Sequence, residues 1–451
     1  MTDNPQKDKL QVGKDHRKIV QATEGGLRAI YFDSSFSLSH DTYNGIYAAS
    51  NGLIYYVLCS ESVDVGGKMY SFDPENKEIK FCGDLTEACG EKDKKAIPQG
   101  KSHVNFVELD GKLYFGTHIG YYTMIEGRDR MGVPPEGYKP YPGGHILSYD
   151  METGEFRDLA IVPEKEGLLT MNMDIKRNLI YGITWPTGHF FKYDLHKNEM
   201  KDFGRVSEDG EDGVGEKYRT LCRSIAIDPE SGMVYYSTSD GIIFQFNPEN
   251  EELTAIEEDN LRKDYFGQYD PASPGHMGYN WRQIFYYDPH EIFYGVHGNS
   301  GYLFSFDPVK KKIEIVERIT SQRSKQSGMF DQFSYGYLGF ALGHDQRTVY
   351  YLTGSPIFEN GKIVAGKSST AKGEAKGLEK LHLITYDLLA GKYCDRGGIY
   401  FDDGSFPLYV NSIAIGHDGN IYFLGRVPTE NRDSVKTDLI CIRNPVESLA
   451  E

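Results

Sequence analysis

The chain has 451 residues, a net charge of −17, 50 glycines, 33 tyrosines and 24 phenylalanines. That length suits several domains or one repeat architecture, and the aromatic and glycine content favours short strands and turns over helices. The negative charge argues against non-specific binding to nucleic acid or to an anionic membrane, and no apolar run approaches the roughly 18 residues of a membrane span.

The N-terminus, Met1-Thr-Asp-Asn-Pro-Gln-Lys-Asp-Lys9, is polar and lacks a signal-peptide pattern. The expected location is the cytoplasm if Met1 is the native start, and the periplasm or exterior if a signal peptide has been removed. A first strand is expected over Leu27-Arg-Ala-Ile-Tyr-Phe32, inside a closing segment of about 17–33. From there an aromatic strand ending in Asp or Asn recurs six times. The copies are Tyr70-Ser-Phe-Asp73, Leu147-Ser-Tyr-Asp150, Phe191-Lys-Tyr-Asp194, Phe244-Gln-Phe-Asn247, Phe304-Ser-Phe-Asp307 and Ile384-Thr-Tyr-Asp387. The terminal side chain can bond the backbone ahead of it and start a turn, while the alternating aromatics pack on one sheet face. Each copy follows an apolar strand such as Leu53-Ile-Tyr-Tyr-Val-Leu58, and seven first strands open the units, from Gly45-Ile-Tyr-Ala48 to Ser412-Ile-Ala-Ile415.

This period predicts an all-β, seven-bladed β-propeller with four-stranded antiparallel blades at about 44–83, 103–160, 170–204, 223–256, 281–318, 335–398 and 410–443. The seventh blade lacks an outer strand, which the N-terminal strand is expected to supply. A monomer is expected. Segments 83–101, 126–144 and 360–380 interrupt the repeat as loops. Six cysteines without metal-type spacing read as free thiols.

The stretch from Lys101 to Gly120 contains two strands joined by Asp110-Gly111, with His103 before the first and His118 after the second. An antiparallel hairpin sets the start of one strand beside the end of its partner, so the two imidazoles are expected on one edge. Loops entering first strands and leaving second strands share one face of a propeller. They carry His40, Tyr218, Arg219, Arg223, Trp281, Arg282, Tyr337 and Asn411, and then His118, Trp185, His189 and His297. This set reads as a locally cationic, hydrogen-bonding, aromatic ring with few carboxylates, suited to an anionic oligosaccharide or polysaccharide. His145 and His189 precede third strands, where a structural role is the commoner reading, and Asp41 is a weak metal candidate. No Gly-x-Ser-x-Gly, P-loop, His-Glu-x-x-His or dinucleotide fingerprint occurs. Imidazoles, phenols and guanidinium groups instead suit β-elimination at a uronate, where a cation stabilises the enolate-like charge and a His or Tyr moves the proton.

The motifs Ser102-His-Val-Asn-Phe106, Tyr114-Phe-Gly-Thr-His-Ile-Gly-Tyr121, Gly143-Gly-His-Ile-Leu-Ser-Tyr-Asp150, Thr184-Trp-Pro-Thr-Gly-His-Phe190 and Arg223-Ser-Ile-Ala-Ile-Asp228 give the chain a resemblance. It resembles the seven-bladed propeller polysaccharide lyases, foremost the family acting on L-rhamnose-α-1,4-D-glucuronate caps of arabinogalactan, and more distantly the ulvan lyases. The resemblance implies that His103 and His118 are the active-site pair and that Arg223 or Arg219 neutralises the carboxylate. It leaves Tyr122, Tyr181 and Tyr218 open as the catalytic tyrosine. The family includes α-L-rhamnosidases with a lone histidine on a different face, a role open to His40 or His16. Relatives hold Ca2+ in the central channel; no carboxylate cluster here demands it, so backbone and Asn oxygens would have to bind it. Two alternatives to the lyase remain, an α-L-rhamnosidase on the same linkage and a non-catalytic glycan-binding propeller.

Overall fold

The computed structural model describes residues 26–125, 128–327, 339–356, 358–359, 362–363, 369–370, 373–374, 379–410, 412–428 and 435–446. The chain is all-β and built mainly from four-stranded antiparallel sheets. The first sheet contains Ile46–Ala48, Ile54–Leu58, Lys68–Asp73 and Glu78–Asp84. The second contains Val107–Leu109, Lys112–Gly116, His145–Asp150 and Phe156–Ile161, and the third Gly167–Asp174, Leu179–Trp185, His189–Asp194 and Glu199–Arg205. The fourth runs Ala226–Ile227, Val234–Ser237, Ile243–Asn247 and Glu252–Ala255, and the fifth Trp281–Tyr287, Ile292–His297, Tyr302–Asp307 and Lys312–Arg318.

The aromatic strands ending in Asp or Asn are third strands, and their turns share one construction. The Oδ1 atoms of Asp73, Asp150, Asp194, Asp307 and Asp387 each accept two backbone N–H groups just ahead, and that of Asn247 accepts one from Glu249. The residue four positions on is left-handed every time: Lys77, Gly154, Asn198, Glu251, Lys311 and Gly391. Only two of these are glycine, so the side-chain bonds to the turn help hold the others in a backbone region that L-residues disfavour.

The sixth and seventh groups depart from the expected separate blades. Phe340–Leu342, Thr348–Pro356, Glu379–Asp387 and Lys392–Tyr400 form one antiparallel group. Ile421–Pro428 and Val435–Ile442 form the core of the other, with Leu408–Val410 and Ala414–Ile415 both pairing with Ile421–Pro428. Leu27–Phe32 lies antiparallel to the chain's last strand, with Ala29 opposite Ile442 and Phe32 opposite Leu439. The same strand also pairs in parallel with Ile399 and Tyr400, which fuses the two groups into one nine-stranded sheet.

Apolar clusters join neighbouring groups in chain order. One cluster spans the first three sheets through Val57, Phe115, Leu168 and Phe191, and a second spans the third to fifth through Tyr181, Tyr236, Phe246 and Phe304. A third joins the fifth to the sixth through Val296 and Tyr351, and a fourth the sixth to the seventh through Leu383 and Phe423. The last packs Leu424 and Leu439 against Tyr56 and Phe72, returning to the first sheet. At the centre, Gln283 Nε2 donates to Asn44 Oδ1 at 2.5 Å across 239 residues of sequence, and Asn44 Nδ2 donates to the His103 carbonyl at 3.0 Å. All six cysteines are free thiols. Among the described residues no helix is long and apolar enough to cross a membrane.

Candidate active site

The Asp110-Gly111 turn has both residues at positive φ, 49° and 73°, the backbone of a two-residue hairpin turn matched to strand twist. It reverses the chain between Val107–Leu109 and Lys112–Gly116, and beyond the paired strands Lys101 and His118 exchange backbone hydrogen bonds of 2.7 and 2.9 Å. Between Lys101 and Val107 the backbone leaves the ladder, and His103 sits in that gap. The rings of His103 and His118 lie 4.3 Å apart between centroids. Tyr43 stacks on His103 at 4.8 Å, and Trp185 stands 5.3 Å from His118. Close backbone approach holds the arrangement. A Cβ on Gly120 would lie 2.0 Å from the Ser60 carbonyl oxygen, and one on Gly167 would lie 2.7 Å from His118 Cδ2.

The two imidazoles line a partly open cleft together with Tyr122, Arg128, Asp129, Leu169, Trp185, Glu211, Tyr218, Arg223 and Pro274. His118 donates Nδ1–H to the Ile119 carbonyl at 2.8 Å, and since a carbonyl only accepts, Nε2 carries the lone pair of the neutral ring. Tyr122 donates to the same carbonyl at 2.9 Å. Burial raises the Tyr122 phenol well above its ordinary value, against an opposing pull from Lys101. Lys101 is 3% exposed, with Nζ 4.7 Å from the Tyr122 ring centre and 2.8 Å from Glu61. Burial alone would lower the Lys101 ammonium, but the attraction of Glu61 holds it well above its usual value.

The opposite wall is organised by Glu211, an unexpected carboxylate. It accepts from Arg223 Nη2 at 2.5 Å, from Trp185 Nε1 at 2.9 Å and from the Leu221 N–H at 3.1 Å. Arg128 comes from the hairpin of Tyr122–Ile125 and Arg128–Met131, whose second strand lies in the segment 126–144 read as a loop from the sequence. It donates to the Gly213 carbonyl at 2.8 Å and lies 5.7 Å from the Tyr218 ring. With Asp129 and Glu211 beside Arg128 and Arg223 in its lining, and Arg223 paired to Glu211, the cleft carries as many carboxylates as guanidinium groups and is not a cationic ring.

The structure brings together His103, His118, Arg223, Tyr122, Trp185 and Tyr218. It removes other expected residues. Trp281 is fully buried and donates to the Ser224 carbonyl at 2.7 Å, and Arg282 is 2% exposed with Nη1 on Met277 Sδ. A β-bulge between Trp281 and Gln283 accompanies this inward placement. His297 is 1% exposed, stacked on Phe266 at 4.2 Å, and pushed down to about 3 by burial, so it offers no charge to a ligand. Arg219 is bound to Asp240 at 2.7 Å outside the cleft lining, and His189 to Asp202 at 2.8 Å. His40 stands behind the cleft on Glu61 at 3.2 Å, and burial lowers its imidazole. Asp41 is an ion-pair partner of Arg426. Tyr181 is buried in the apolar core beside Phe190, which leaves Tyr122 and Tyr218 of the three tyrosines. Tyr337, Asn411 and His16 lie outside the described residues. Among the described residues, one trio of His, Cys, Asp or Glu side chains lies close enough to share a metal ion: Glu164, His189 and Asp202.

Glu211 and Arg128 carried no usable sequence signal, because each acts through partners far along the chain or in irregular loops. Lys101 was visible only as the residue preceding the Ser-His motif. Neither a known family model nor a curated protein sequence matches the chain.

Proposed function

We propose that the protein is a polysaccharide lyase on a seven-bladed β-propeller, cleaving L-rhamnose-α-1,4-D-glucuronate ends of arabinogalactan-type glycans by β-elimination. The propeller reading is supported by seven sequential sheet groups whose apolar clusters return from the last to the first. Pairing of Leu27–Phe32 with Val435–Ile442 supports the reading in which the N-terminal strand completes the seventh group.

The observation that carries the catalytic reading is the His103–His118 pair, 4.3 Å apart, in one cleft with Arg128, Arg223 and Tyr122. Guanidinium groups at the uronate carboxylate stabilise the charge that develops as C5 loses its proton. His118 Nε2 takes that proton. The electron pair forms the C4–C5 double bond as the C4–O bond breaks. Tyr122, kept protonated by burial, donates to the departing rhamnosyl oxygen. Trp185 and Tyr218 offer ring faces to the sugars.

Asp129 and Glu211 in the same lining favour a hydrolase as the second reading, since ordinary glycosidases use two carboxylates. Glu211 already receives three donors, which suits a fixed anchor better than a proton shuttle. Gum arabic digestion separates the readings. The lyase releases rhamnose together with a 4,5-unsaturated uronate that absorbs in the ultraviolet, and both products vanish in His118→Ala. Rhamnose without the absorbance establishes hydrolysis. No product, with a change in Trp185 emission on adding the glycan, establishes a binding protein.

A further inference from the structure

Outside the cleft, three metal-ligating side chains from three different elements converge. His189 opens the third strand of the third sheet, Asp202 lies in its fourth strand, and Glu164 belongs to the Pro163–Lys165 turn that joins the second sheet to the third. One ligand atom from each lies within 4.8 Å of the others. A β-bulge between His189 and Phe191 interrupts the ladder beside His189, whose Nδ1 reaches Asp202 Oδ2 at 2.8 Å. Glu164 and Lys165 are both left-handed, at φ 56° and 55°, a conformation that a non-glycine residue does not choose for itself.

We infer that Glu164, His189 and Asp202 bind one borderline divalent cation of the zinc or cobalt class. One imidazole nitrogen and two carboxylate oxygens are the donors such ions take, with ligand bonds near about 2.1 Å. The ion ties the connection between two sheets to the edge of the third. It also braces the Pro186–Thr187–Gly188 turn, which lies between His189 and the cleft residue Trp185. Glu166 already holds the other end of that turn through Thr184 and Thr187.

The test uses the metal-stripped full chain. Calorimetric titration with Zn2+ is expected to show one bound equivalent, weakened at least about tenfold in His189→Ala and in Asp202→Asn and unchanged in His196→Ala. Circular dichroism checks that each variant is folded, and the conservative Asp202→Asn keeps the test decisive if His189→Ala is not. Co2+ is expected to give visible ligand-field bands without a thiolate charge-transfer band. The inference is overturned by absence of uptake, by uptake that both variants retain, or by a thiolate band placing the metal on the half-buried Cys82 or Cys394. None of these readouts depends on catalytic turnover.

Discussion

Replacing Glu211 by Gln tests whether that carboxylate organises the cleft wall. Its Oε1 accepts from Arg223 and from the Leu221 N–H, and its Oε2 accepts from Trp185 Nε1. An amide has one acceptor oxygen, so in either orientation an NH2 group faces a donor. If the oxygen keeps Arg223 and Leu221, the Arg223 bond stays charge-assisted through the guanidinium but loses the opposing carboxylate charge, a cost of about 1 kcal/mol, and Trp185 Nε1 loses a partner at a cost of about 1–3 kcal/mol. Together these give about 3 kcal/mol of lost stability. Urea unfolding followed by far-ultraviolet circular dichroism measures it. The only two tryptophans are Trp185 and Trp281, so a Trp281→Phe background isolates the emission of the cleft residue. Trp185 emission is expected to shift in Glu211→Gln before any unfolding. Stability within about 0.5 kcal/mol of wild type, with unchanged emission, refutes the reasoning.

Three further outcomes follow from packing and charge. Gly120→Ala places a methyl group 2.0 Å from the Ser60 carbonyl oxygen and 2.8 Å from Gly100 Cα, so a stability loss of about 3 kcal/mol and loss of the proposed turnover are expected. Gly52→Ala, at φ 85° with nothing nearby, is expected to cost only about 1–2 kcal/mol and to leave turnover intact; equal effects in the two would remove the steric argument. Burial alone would lower the His145 imidazole, but bonds to Asp158, Cys89 and Glu91 lift it to about 11, so its stabilisation is complete below about pH 6.5 and is lost as pH rises through 11. His145→Gln should flatten that alkaline decline in unfolding free energy, and an unchanged slope would show that the pairing is not worth what its geometry suggests. For His297, which burial holds at about 3, the sign reverses: stability is present above about pH 6.5 and lost as pH falls through 3, and His297→Phe should flatten the acid limb.

What could be read from the sequence was local. The turns after Asp73 and Asp307 announce themselves because the side chain bonds its own backbone two and three residues on, a distance a single sequence displays directly. The meeting of His103 with His118 was legible for a similar reason, since Asp110-Gly111 fixes the register of one hairpin. Side-chain direction at strand ends was not legible. Arg282 is the unpaired residue of a bulge between Trp281 and Gln283 that breaks the alternation on which facing arguments rest, and His297 turned into an aromatic stack with Phe266 from the loop ahead of the fifth sheet. The charge balance of the cleft was equally hidden. Its carboxylate Glu211 sits in an acidic loop with no periodicity, and Arg128 docks on Gly213 across 85 residues.

The imidazole pair depends on more than its own hairpin. Two residues before Ile46, Asn44 is left-handed, at φ 61°, and its amide ends face different sheets. Nδ2 holds the carbonyl of His103, just where that chain has left its ladder, and Oδ1 receives Gln283 from the fifth sheet. A carbonyl outside a ladder has no strand partner to fix it, so this amide bond sets the backbone that carries the His103 ring. The position of one imidazole is thereby tied to the fifth sheet, while the other rests on Gly167 at the start of the third. Contacts from distant sheets therefore fix the ring positions that the hairpin register alone brings near each other. Local turns shape each unit, whereas contacts between units set the cleft that these side chains line.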